Sequence, residues 1–246
     1  MNYIDLNCDM GEGAGNDAII MPYITSANIA CGFHAGDEHT MRQTIRSAKA
    51  YKVAIGAHPS YPDREYFGRQ EMNLSDSEIY TLINQQLSIL DAIAKEEDVV
   101  LNHVKPHGAL YNQAAKDIRL ATVIANAVND FDPRLKLVGL SGSCLVNAAA
   151  AVGLHSISEV FADRTYTDNG HLTPRTEANA MITTEEESIQ QVLQMVLKGT
   201  VTSTLGKTIA IRAETICLHG DGPHAAAFAE RIYAVLQEKG IVLKSL

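Results

Sequence analysis

The sequence predicts an α/β protein in which βα units surround a single parallel sheet. Short apolar or β-branched runs alternate with longer segments of helical period, which is the pattern of such units. The 246 residues exceed the usual size of one domain, yet barrels of βα units reach this length around one core. With 46% hydrophobic and 20% charged residues, the chain can bury a sizeable core. We therefore expect one domain spanning residues 1–246.

Seven short runs are expected to form the strands of this sheet. They lie at residues 3–8, 26–31, 53–57, 100–104, 136–140, 155–160 and 215–218. The segments between them have helical period, so we expect parallel strands joined by helical crossovers.

The helix after the third run has a clear amino-terminal signal. Ser75 and Glu78 have the spacing of a capping box, in which each side chain accepts a hydrogen bond from the backbone of the other residue. Apolar residues then recur every three or four positions and form one stripe that can pack on the sheet. The stripe consists of Ile79, Leu82, Ile83, Leu87, Leu90 and Ala94.

Two later helices are predicted from similar signals. Thr184 and Glu187 repeat the capping-box spacing, and Gly199 can end that helix in a left-handed conformation. Pro223 suits the first turn of the last helix, and Gly240 would end it. The apolar stripe expected after Thr184 is Ile189, Val192, Leu193, Val196 and Leu197.

Composition and charge argue against several classes of protein. The net charge of −9 at pH 7 would repel a phosphate backbone, so nucleic acid is not an expected partner. Neither a run of roughly eighteen apolar residues nor a secretion signal is recognisable, so we expect no membrane span and no export. The four cysteines form no C-x-x-C pair, which argues against a disulfide scaffold and favours the reducing cytoplasm.

Polar residues follow six of the seven predicted strands. Since the carboxyl ends of parallel strands open on one face, we expect these scattered residues to converge on one pocket. Such a set favours an active site over solvated loops. The set comprises Asn7, Asp9, Glu12, His34, Asp37, His58, Asp63, Arg64, Lys105, His107, Asn112, Glu159, Asp163, Arg164, His219, Asp221 and His224.

Some of these residues have structural explanations as well as functional ones. Asp37 precedes a helical segment and can cap it, whereas His34 lies among glycines that let backbone approach a ligand. Lys105 is costly to bury at a strand end unless a carboxylate or an anionic ligand lies beside it. Asp9, His34 and His58 are suitable metal ligands by residue type, although the chain contains no H-E-x-x-H zinc helix.

Two long polar loops, at residues 61–73 and 161–180, are interpreted as lids over this pocket. Arg64, Arg69, Arg164 and Arg175 give the loops forked donors for a carboxylate or a phosphate. The alternative is that these arginines are ordinary surface charges.

Six segments resemble signatures of the LamB/YcsF family. They are DLNCDMGE at residues 5–12, ANIACGFHAGD at 27–37, GAHPS at 56–60, HVKPHGALYN at 103–112, EVFADR at 159–164 and CLHGDGPH at 217–224. The first segment departs from the expected pattern by carrying Cys8 and Met10 where alanine and leucine are expected, but its polar residues are kept. The chain is therefore identified as a member of this family.

The resemblance implies a fold, a reaction and partners. The fold would be a seven-stranded (β/α) barrel resembling that of glycoside hydrolases and metal-dependent deacetylases. The reaction would be the ATP-dependent opening of 5-oxo-L-proline to L-glutamate by a 5-oxoprolinase, with ADP and phosphate released and Mg²⁺ accompanying ATP. Two further subunits, B and C, similar to allophanate hydrolase components, would complete the enzyme.

A nucleotide site in this chain would not be of the Walker type. Gly206-Lys207-Thr208 resembles the end of a P-loop, but Val201 stands where its first glycine is required. Which subunit binds ATP is left open.

The lactam is unstrained and resonance-stabilised, so it must be activated before water attacks it. Phosphorylation of the amide oxygen would give an imidate-like species that needs a base, a cation for the developing negative charge and an anchor for the carboxylate. We expect Asp9 or His34 as the base, Lys105 as the cation and Arg64 or Arg164 as the anchor, with His107 also catalytic. The expected substrate-binding residues are Asn7, Glu12, Asn28, His58, Arg64, Asn112, Glu159, Arg164, Arg175, His219 and Asp221.

Two other functions are alternatives. Fold analogy favours a metal-dependent amide or sugar deacetylase. The chain could also be a non-catalytic subunit that binds 5-oxoproline while the chemistry occurs on its partners.

Overall fold

Seven parallel strands close into a barrel in the computed structural model of this chain, which describes residues 3–218 and 225–246. Each strand pairs with the next around the ring, and the last pairs with the first. The ring consists of β1 (Tyr3–Met10), β2 (Ser26–Ala30), β3 (Ala54–His58), β4 (His103–Val104), β5 (Lys136–Leu140), β6 (His155–Phe161) and β9 (Thr215–Leu218). Outside it lie β7 (Thr200–Thr202), β8 (Thr208–Ala210) and β10 (Val242–Leu243).

Helices connect the strands and cover the outside of the barrel. They are α1 (Asp17–Ile20), α2 (Glu38–Tyr51), α3 (Asp76–Glu96), α4 (Gly108–Ala114), α5 (Ile118–Phe131), α6 (Cys144–Ala151), α7 (Glu185–Lys198) and α8 (Ala225–Glu238), with a short 3₁₀ turn at Met21–Tyr23. Among the residues that the structure describes, none of the helices is both long and apolar enough to cross a membrane.

The predicted fold class is confirmed, since all seven predicted strands form the ring in the expected parallel arrangement. The fourth run is shorter than predicted, because only His103–Val104 pairs with its neighbours. The antiparallel pair β7–β8 and the strand β10, which pairs with the amino end of β1, were not predicted. Each of these strands has only two or three residues, too few for a readable hydrophobic period.

The predicted helix boundaries are largely confirmed. Ser75 forms a complete capping box with Glu78 at the start of α3, and Thr184 caps α7 by accepting a hydrogen bond from the backbone of Glu187. Gly199 ends α7 with φ 62°. The stripe of α7 is narrower than expected, because Leu197 is 56% exposed.

Three further helix-end signals were predicted, and two of them lie among the described residues. Asp37 caps α2, where its carboxylate accepts a hydrogen bond from the backbone of Thr40 at 2.8 Å. Gly240 follows α8 with φ 73°, as expected of a residue that ends a helix. Pro223 lies outside the described residues.

The strands separate an apolar layer from a polar barrel interior. Along β1, alternate residues such as Ile4 and Leu6 belong to the hydrophobic core, which lies between the strands and the helices. The intervening residues Asp5, Asn7 and Asp9 are also buried, but they hydrogen-bond to polar side chains of other strands. This two-residue alternation places a column of polar groups inside the barrel.

Asp5 lies in this column at the end of the barrel away from the strand carboxyl termini. Its carboxylate accepts hydrogen bonds from the hydroxyl groups of Thr25 at 2.6 Å, Ser26 at 2.7 Å and Thr215 at 2.5 Å. Burial raises the pKa of Asp5 from its ordinary value of 3.8 to about 6, although the three hydroxyl donors oppose this rise.

We expect Asp5→Asn to change how stability depends on pH. Because the folded-state pKa is raised, the stability contributed by Asp5 is complete below its unfolded pKa and is lost as pH rises through about 6. Asparagine does not ionise, so between about pH 3 and about pH 8 the free energy of unfolding of the variant should rise relative to that of the wild type by roughly 3 kcal/mol. Urea unfolding at both pH values measures the shift. The exposed control Asp98→Asn should follow the wild type, and an equal response of the two variants would contradict the assignment.

Candidate active site

A cavity of about 500 Å³ opens at the carboxyl ends of the barrel strands. Its volume is typical of pockets for small ligands, and its position is the usual one for active sites in parallel barrels. Its walls come from strand ends, from α4 and from the two predicted lid loops. The polar lining includes Asp9, Glu12, His58, Arg69, Glu71, Lys105, His107, Tyr111, Asn112, Lys116, Arg164, His171, Thr173, Arg175 and Thr176.

A buried cation, the ammonium group of Lys105, lies at the floor of the cavity. Its Nζ atom is 2.8 Å from Asp9 Oδ1 and 2.8 Å from Glu159 Oε1, and it donates to Asn7 Oδ1 at 3.2 Å and Cys217 Sγ at 3.1 Å. Burial alone would lower the pKa of Lys105, but the neighbouring Asp9 and other acidic groups hold it well above its ordinary value. Lys105 is therefore charged and already occupied by protein acceptors.

Side-chain amides and a phenol fix both carboxylates around this cation. Asn28 Nδ2 donates to Asp9 Oδ1 and to Asn7 Oδ1, each at 2.7 Å, and Asn7 Nδ2 donates to Glu159 Oε1 at 3.0 Å. Tyr111 donates its hydroxyl hydrogen to Glu159 Oε2 at 2.6 Å. The structure therefore brings the predicted substrate-binding residues Asn7, Asn28 and Glu159 beneath the cavity floor and not onto its wall.

Three histidines and a glutamate form a second polar cluster beside this floor. Glu12 Oε1 is 3.0 Å from His34 Nε2, 3.2 Å from His107 Nδ1 and 3.8 Å from His58 Nε2. The nitrogens His58 Nε2 and His107 Nδ1 are 2.9 Å apart, and the rings of His34 and His107 stack with centroids 3.9 Å apart. We call these four residues the Glu–His cluster.

Backbone geometry after β1 explains how Glu12 reaches the histidines. Gly11 and Gly13 flank it with φ 73° and 83°, values that other residues rarely adopt. Asp17 accepts a hydrogen bond from the backbone of Gly11 at 2.8 Å and holds this turn.

Burial controls the protonation of the Glu–His cluster. It lowers the pKa of His34 to about 4 and also lowers the pKa of His107, so both rings are neutral near pH 7. His58 differs, because the nearby Asp9 carboxylate outweighs burial and raises its pKa. Although burial opposes it, the neighbouring histidines His107 and His34 hold the pKa of Glu12 well below its ordinary value.

The expected metal ligands are only partly those that the structure groups together. Ligand atoms of Glu12, His34, His58 and His107 all lie within 4.8 Å of one another. Asp9, the predicted acidic ligand, is outside this group because its Oδ1 atom is bonded to Lys105 and Asn28. Its other oxygen, Oδ2, is 3.3 Å from His58 Nε2.

The loop at residues 61–73 is held against the start of α4. Phe67 has φ 58°, which is unusual for a bulky side chain, and its carbonyl oxygen is 2.9 Å from His107 Nε2. The next carbonyl, that of Gly68, accepts a hydrogen bond from the backbone of Ala109 at 2.9 Å. A side chain at Gly68 would lie 2.2 Å from Ser60 Oγ, so the close contact of loop and barrel requires glycine there.

The predicted arginines have different positions. Arg164 is only 4% exposed, lines the cavity, and donates to the carbonyl oxygens of Thr173 at 2.6 Å and Ala180 at 3.3 Å. Arg175 also lines the cavity. Arg64 does not, because its guanidinium donates to the carbonyl oxygens of Gly32 and Gly36. The prediction that Arg64 anchors the substrate therefore lacks support from its position.

The remaining predicted site residues also differ in whether they line the cavity. Asn112 lines the cavity one turn into α4, whereas His34 lies behind the wall in the Glu–His cluster. His219 and Asp221 lie outside the described residues. Sequence reasoning missed Tyr111, although its position four residues after His107 could have placed it on the same helical face. No sequence signal identifies the carbonyl group of Phe67.

Comparison with known proteins identifies the relatives of this chain. The family model described as LamB/YcsF family matches residues 4–246. Proteins from Staphylococcus aureus named as the A subunit of 5-oxoprolinase are 51% identical over 248 residues, which is 99% of both chains. The crystal structure of a lactam utilization protein from Thermus thermophilus is 42% identical with a TM-score of 0.93, and the match covers 99% of this chain and 100% of that one.

More distant structures share the barrel alone. The peptidoglycan deacetylase PdaC from Bacillus subtilis is 11% identical with a TM-score of 0.51, over 100% of this chain and 88% of that one. A GH113 β-1,4-mannanase is 12% identical with a TM-score of 0.52, over 96% of this chain and 99% of that one. The predicted likeness to deacetylase and glycoside hydrolase barrels is thereby confirmed at the level of fold.

We expect Lys105→Met to destabilise the protein near neutral pH. The change leaves Asp9 and Glu159 buried without their cation, and breaking such a pair costs about 3–5 kcal/mol. The control Lys95→Met removes an exposed lysine paired with Asp91 and should cost less than about 1 kcal/mol. Denaturant unfolding at neutral pH measures both costs. Equal costs for the two variants would show that Lys105 does not balance this charge.

Proposed function

Because this chain belongs to the LamB/YcsF family, we propose that it is the A subunit of an ATP-dependent 5-oxoprolinase. The complete enzyme opens 5-oxo-L-proline to L-glutamate and hydrolyses ATP to ADP and phosphate. The observation that carries this proposal is the 51% identity, over 99% of both chains, with proteins named as that subunit of 5-oxoprolinase. The close structural relative described as a lactam utilization protein supports the same class of substrate.

The cavity suits a small anionic lactam. At about 500 Å³ it has room for a five-membered ring and for a second group beside it. Arg164 is the best-placed anchor for the substrate carboxylate or for a phosphoryl group. Its Nε and Nη2 atoms are fixed by backbone carbonyls, which orients the guanidinium beside the cavity before a ligand binds.

Asp9 is the better placed of the two expected bases. It lies on the cavity wall, whereas His34 lies behind the wall with its Nε2 atom directed at Glu12. Hydrogen bonds from Lys105 and Asn28 to Asp9 Oδ1 fix the orientation of the carboxylate, which suits it to take a proton from an attacking water.

Lys105 is better suited to position Asp9 than to bind an oxyanion directly. Its ammonium group already contacts Asp9, Glu159, Asn7 and Cys217, so a substrate oxygen would have to displace one of them. Lys105 therefore acts by keeping Asp9 ionised and oriented.

We propose that two partner subunits complete the enzyme. The word subunit in the names of the relatives supports a multi-subunit complex, and we assign its other members to B and C subunits similar to allophanate hydrolase components. ATP with Mg²⁺ would be consumed by the complex. Four free cysteines, three of them buried, are consistent with the reducing cytoplasm as its location.

A metal-dependent amide or sugar deacetylase is the second candidate function. The observation that favours it is the Glu–His cluster on the cavity wall, whose donor set suits a hydrolytic metal site. Hydrolysis of acetylated substrates by the isolated chain without ATP, and its loss with a chelator, would support that candidate.

Glutamate release from 5-oxoproline and ATP tests the proposed function. We expect release when this chain is combined with the two partner subunits, and none from this chain alone or from the partners alone. Full activity of the partners without this chain would contradict the proposal. If the partners bind 5-oxoproline only in the presence of this chain but turnover survives Asp9→Asn, the chain is a binding subunit.

The same assay tests the role of Asp9. Asp9→Asn keeps the shape and the hydrogen-bond acceptor but removes the base, so kcat should fall by about 100-fold or more. Size-exclusion chromatography should show an assembled complex. The matched control Asp98→Asn changes an exposed aspartate in the same way and should leave kcat unchanged, whereas near-normal turnover by Asp9→Asn would refute the assignment.

A further inference from the structure

We propose that Glu12, His34, His58 and His107 form a binding site for one divalent transition-metal ion, such as Zn²⁺, on the wall of the cavity. The proposal rests on the geometry of these side chains and does not depend on the reaction proposed above. It also differs from the sequence-based ligand set, because Glu12 replaces Asp9 and His107 is added.

Two backbone carbonyls determine which histidine nitrogens carry hydrogen. His58 Nδ1 is 2.7 Å from the carbonyl oxygen of Lys105, and His107 Nε2 is 2.9 Å from that of Phe67. A carbonyl oxygen only accepts hydrogen bonds, so each of these nitrogens bears the hydrogen of a neutral ring. The other nitrogens, His58 Nε2 and His107 Nδ1, therefore present lone pairs.

These lone pairs face one another across a short distance. His58 Nε2 and His107 Nδ1 are 2.9 Å apart, and the carboxylate oxygen Glu12 Oε1 lies 3.2 Å from the latter. In the neutral tautomers the two nitrogens face each other with no hydrogen between them, whereas Glu12 Oε1 accepts a hydrogen bond from His34 Nε2 at 3.0 Å. Buried acceptors that face each other without a donor are costly, so either a proton on His58 or a cation must lie between the two nitrogens. A bound metal ion takes the place of that proton and is also bound by Glu12 Oε1.

The distances fit a metal centre. Zinc binds imidazole nitrogen at about 2.0–2.1 Å, so two ligand atoms of a tetrahedral site lie roughly 3.4 Å apart. Glu12 Oε1 lies 3.0, 3.2 and 3.8 Å from the nitrogens of His34, His107 and His58, and all four ligand atoms lie within 4.8 Å of one another. The three distances from Glu12 Oε1 lie within a few tenths of an ångström of this spacing, and separations of up to 4.8 Å within the cluster would shorten on metal binding.

The surroundings of the Glu–His cluster resemble the outer shell of a metal site. Histidines that bind a metal usually donate their second ring nitrogen to a carbonyl or carboxylate, as His58 and His107 do here. The carbonyl for His107 comes from Phe67, whose φ of 58° is strained for a bulky residue, and such strain is concentrated at functional sites. All three imidazoles are nearly buried, with exposures of 1–6%.

The donor set predicts the class of ion. Three imidazole nitrogens and one carboxylate oxygen suit Zn²⁺ and neighbouring first-row ions, whereas Mg²⁺ and Ca²⁺ prefer all-oxygen sites. The Mg²⁺ that accompanies ATP would therefore bind elsewhere. When bound, an ion here would supply a Lewis acid to the cavity.

Direct metal binding to the purified full-length chain tests the proposal. After treatment with a chelator, the wild type should bind one equivalent of Co²⁺. The bound Co²⁺ should show the visible absorption expected of a low coordination number with nitrogen and oxygen ligands. An equivalent of Zn²⁺ should abolish that absorption, and excess Mg²⁺ should leave it unchanged. A wild type that takes up neither Co²⁺ nor Zn²⁺ would overturn the proposal, because a shared proton would then satisfy the lone pairs.

Glu12→Gln provides the matched variant. The new amide keeps the shape of the side chain and can donate a hydrogen to the converging lone pairs, so folding should be preserved, as circular dichroism would show. Loss of an outer-shell partner typically weakens metal binding by about 10–100-fold, so loss of this ligand should weaken Co²⁺ binding by at least about 100-fold. The control Glu71→Gln makes the same change on the cavity wall outside the Glu–His cluster and should bind as the wild type does.

One result would separate this proposal from the proposed function. Equal metal affinity of Glu12→Gln and Glu71→Gln would overturn the metal site while leaving the glutamate-release assay unaffected. If Glu12→Gln does not fold, His107→Asn removes one ligand and can be measured in the same titration, with His155→Asn as an exposed control.

Discussion

The buried charge of Lys105 is the constraint on which the centre of this barrel depends. An ammonium group removed from water must be balanced by carboxylates and by hydrogen-bond acceptors. The chain supplies them from three other strands of the ring, because Asp9 belongs to β1, Glu159 to β6 and Cys217 to β9, while Lys105 follows β4. One side chain thus joins distant parts of the ring, and the interior is polar where many barrels are filled with branched apolar residues.

This arrangement divides the cavity into parts with separate tasks. The floor is a network of charged and hydrogen-bonded groups that hold one another in place. The wall contains groups that remain available to a ligand or an ion, namely Glu12, His58 and His107 of the Glu–His cluster together with Arg164 and Arg175. Residues of the floor act on a bound molecule through Asp9, so their influence on chemistry is indirect.

The sequence could predict the features that depend on helix-capping residues or on the alternation of strands and helices along the chain. Alternating strands and helices indicated the parallel ring, and the capping residues Ser75 and Thr184 indicated two helix starts. The need of Lys105 for a neighbouring carboxylate also followed from the energetics of burial, and the structure provides two. The convergence of polar residues followed from the common direction of the strands.

Features that depend on loop geometry could not be predicted. The turn at Gly11 and Gly13 decides that Glu12 reaches the histidines, and the path of residues 61–73 decides that Arg64 binds backbone carbonyls. Main-chain groups such as the carbonyl of Phe67 have no signature in side-chain pattern.

The two hydrogen bonds of Arg164 have a consequence for how this cavity can change during evolution. The guanidinium beside the cavity also ties together both ends of a loop segment, through the carbonyls of Thr173 and Ala180. Ligand recognition and loop shape therefore cannot vary independently at this position. Arg175 lines the same cavity, where its Nη1 atom contacts the sulfur atom of Met181 at 3.6 Å, and within the described part of the chain it does not bridge two backbone segments in this way. Divergence in ligand preference within such proteins should consequently accumulate at Arg175 before it reaches Arg164.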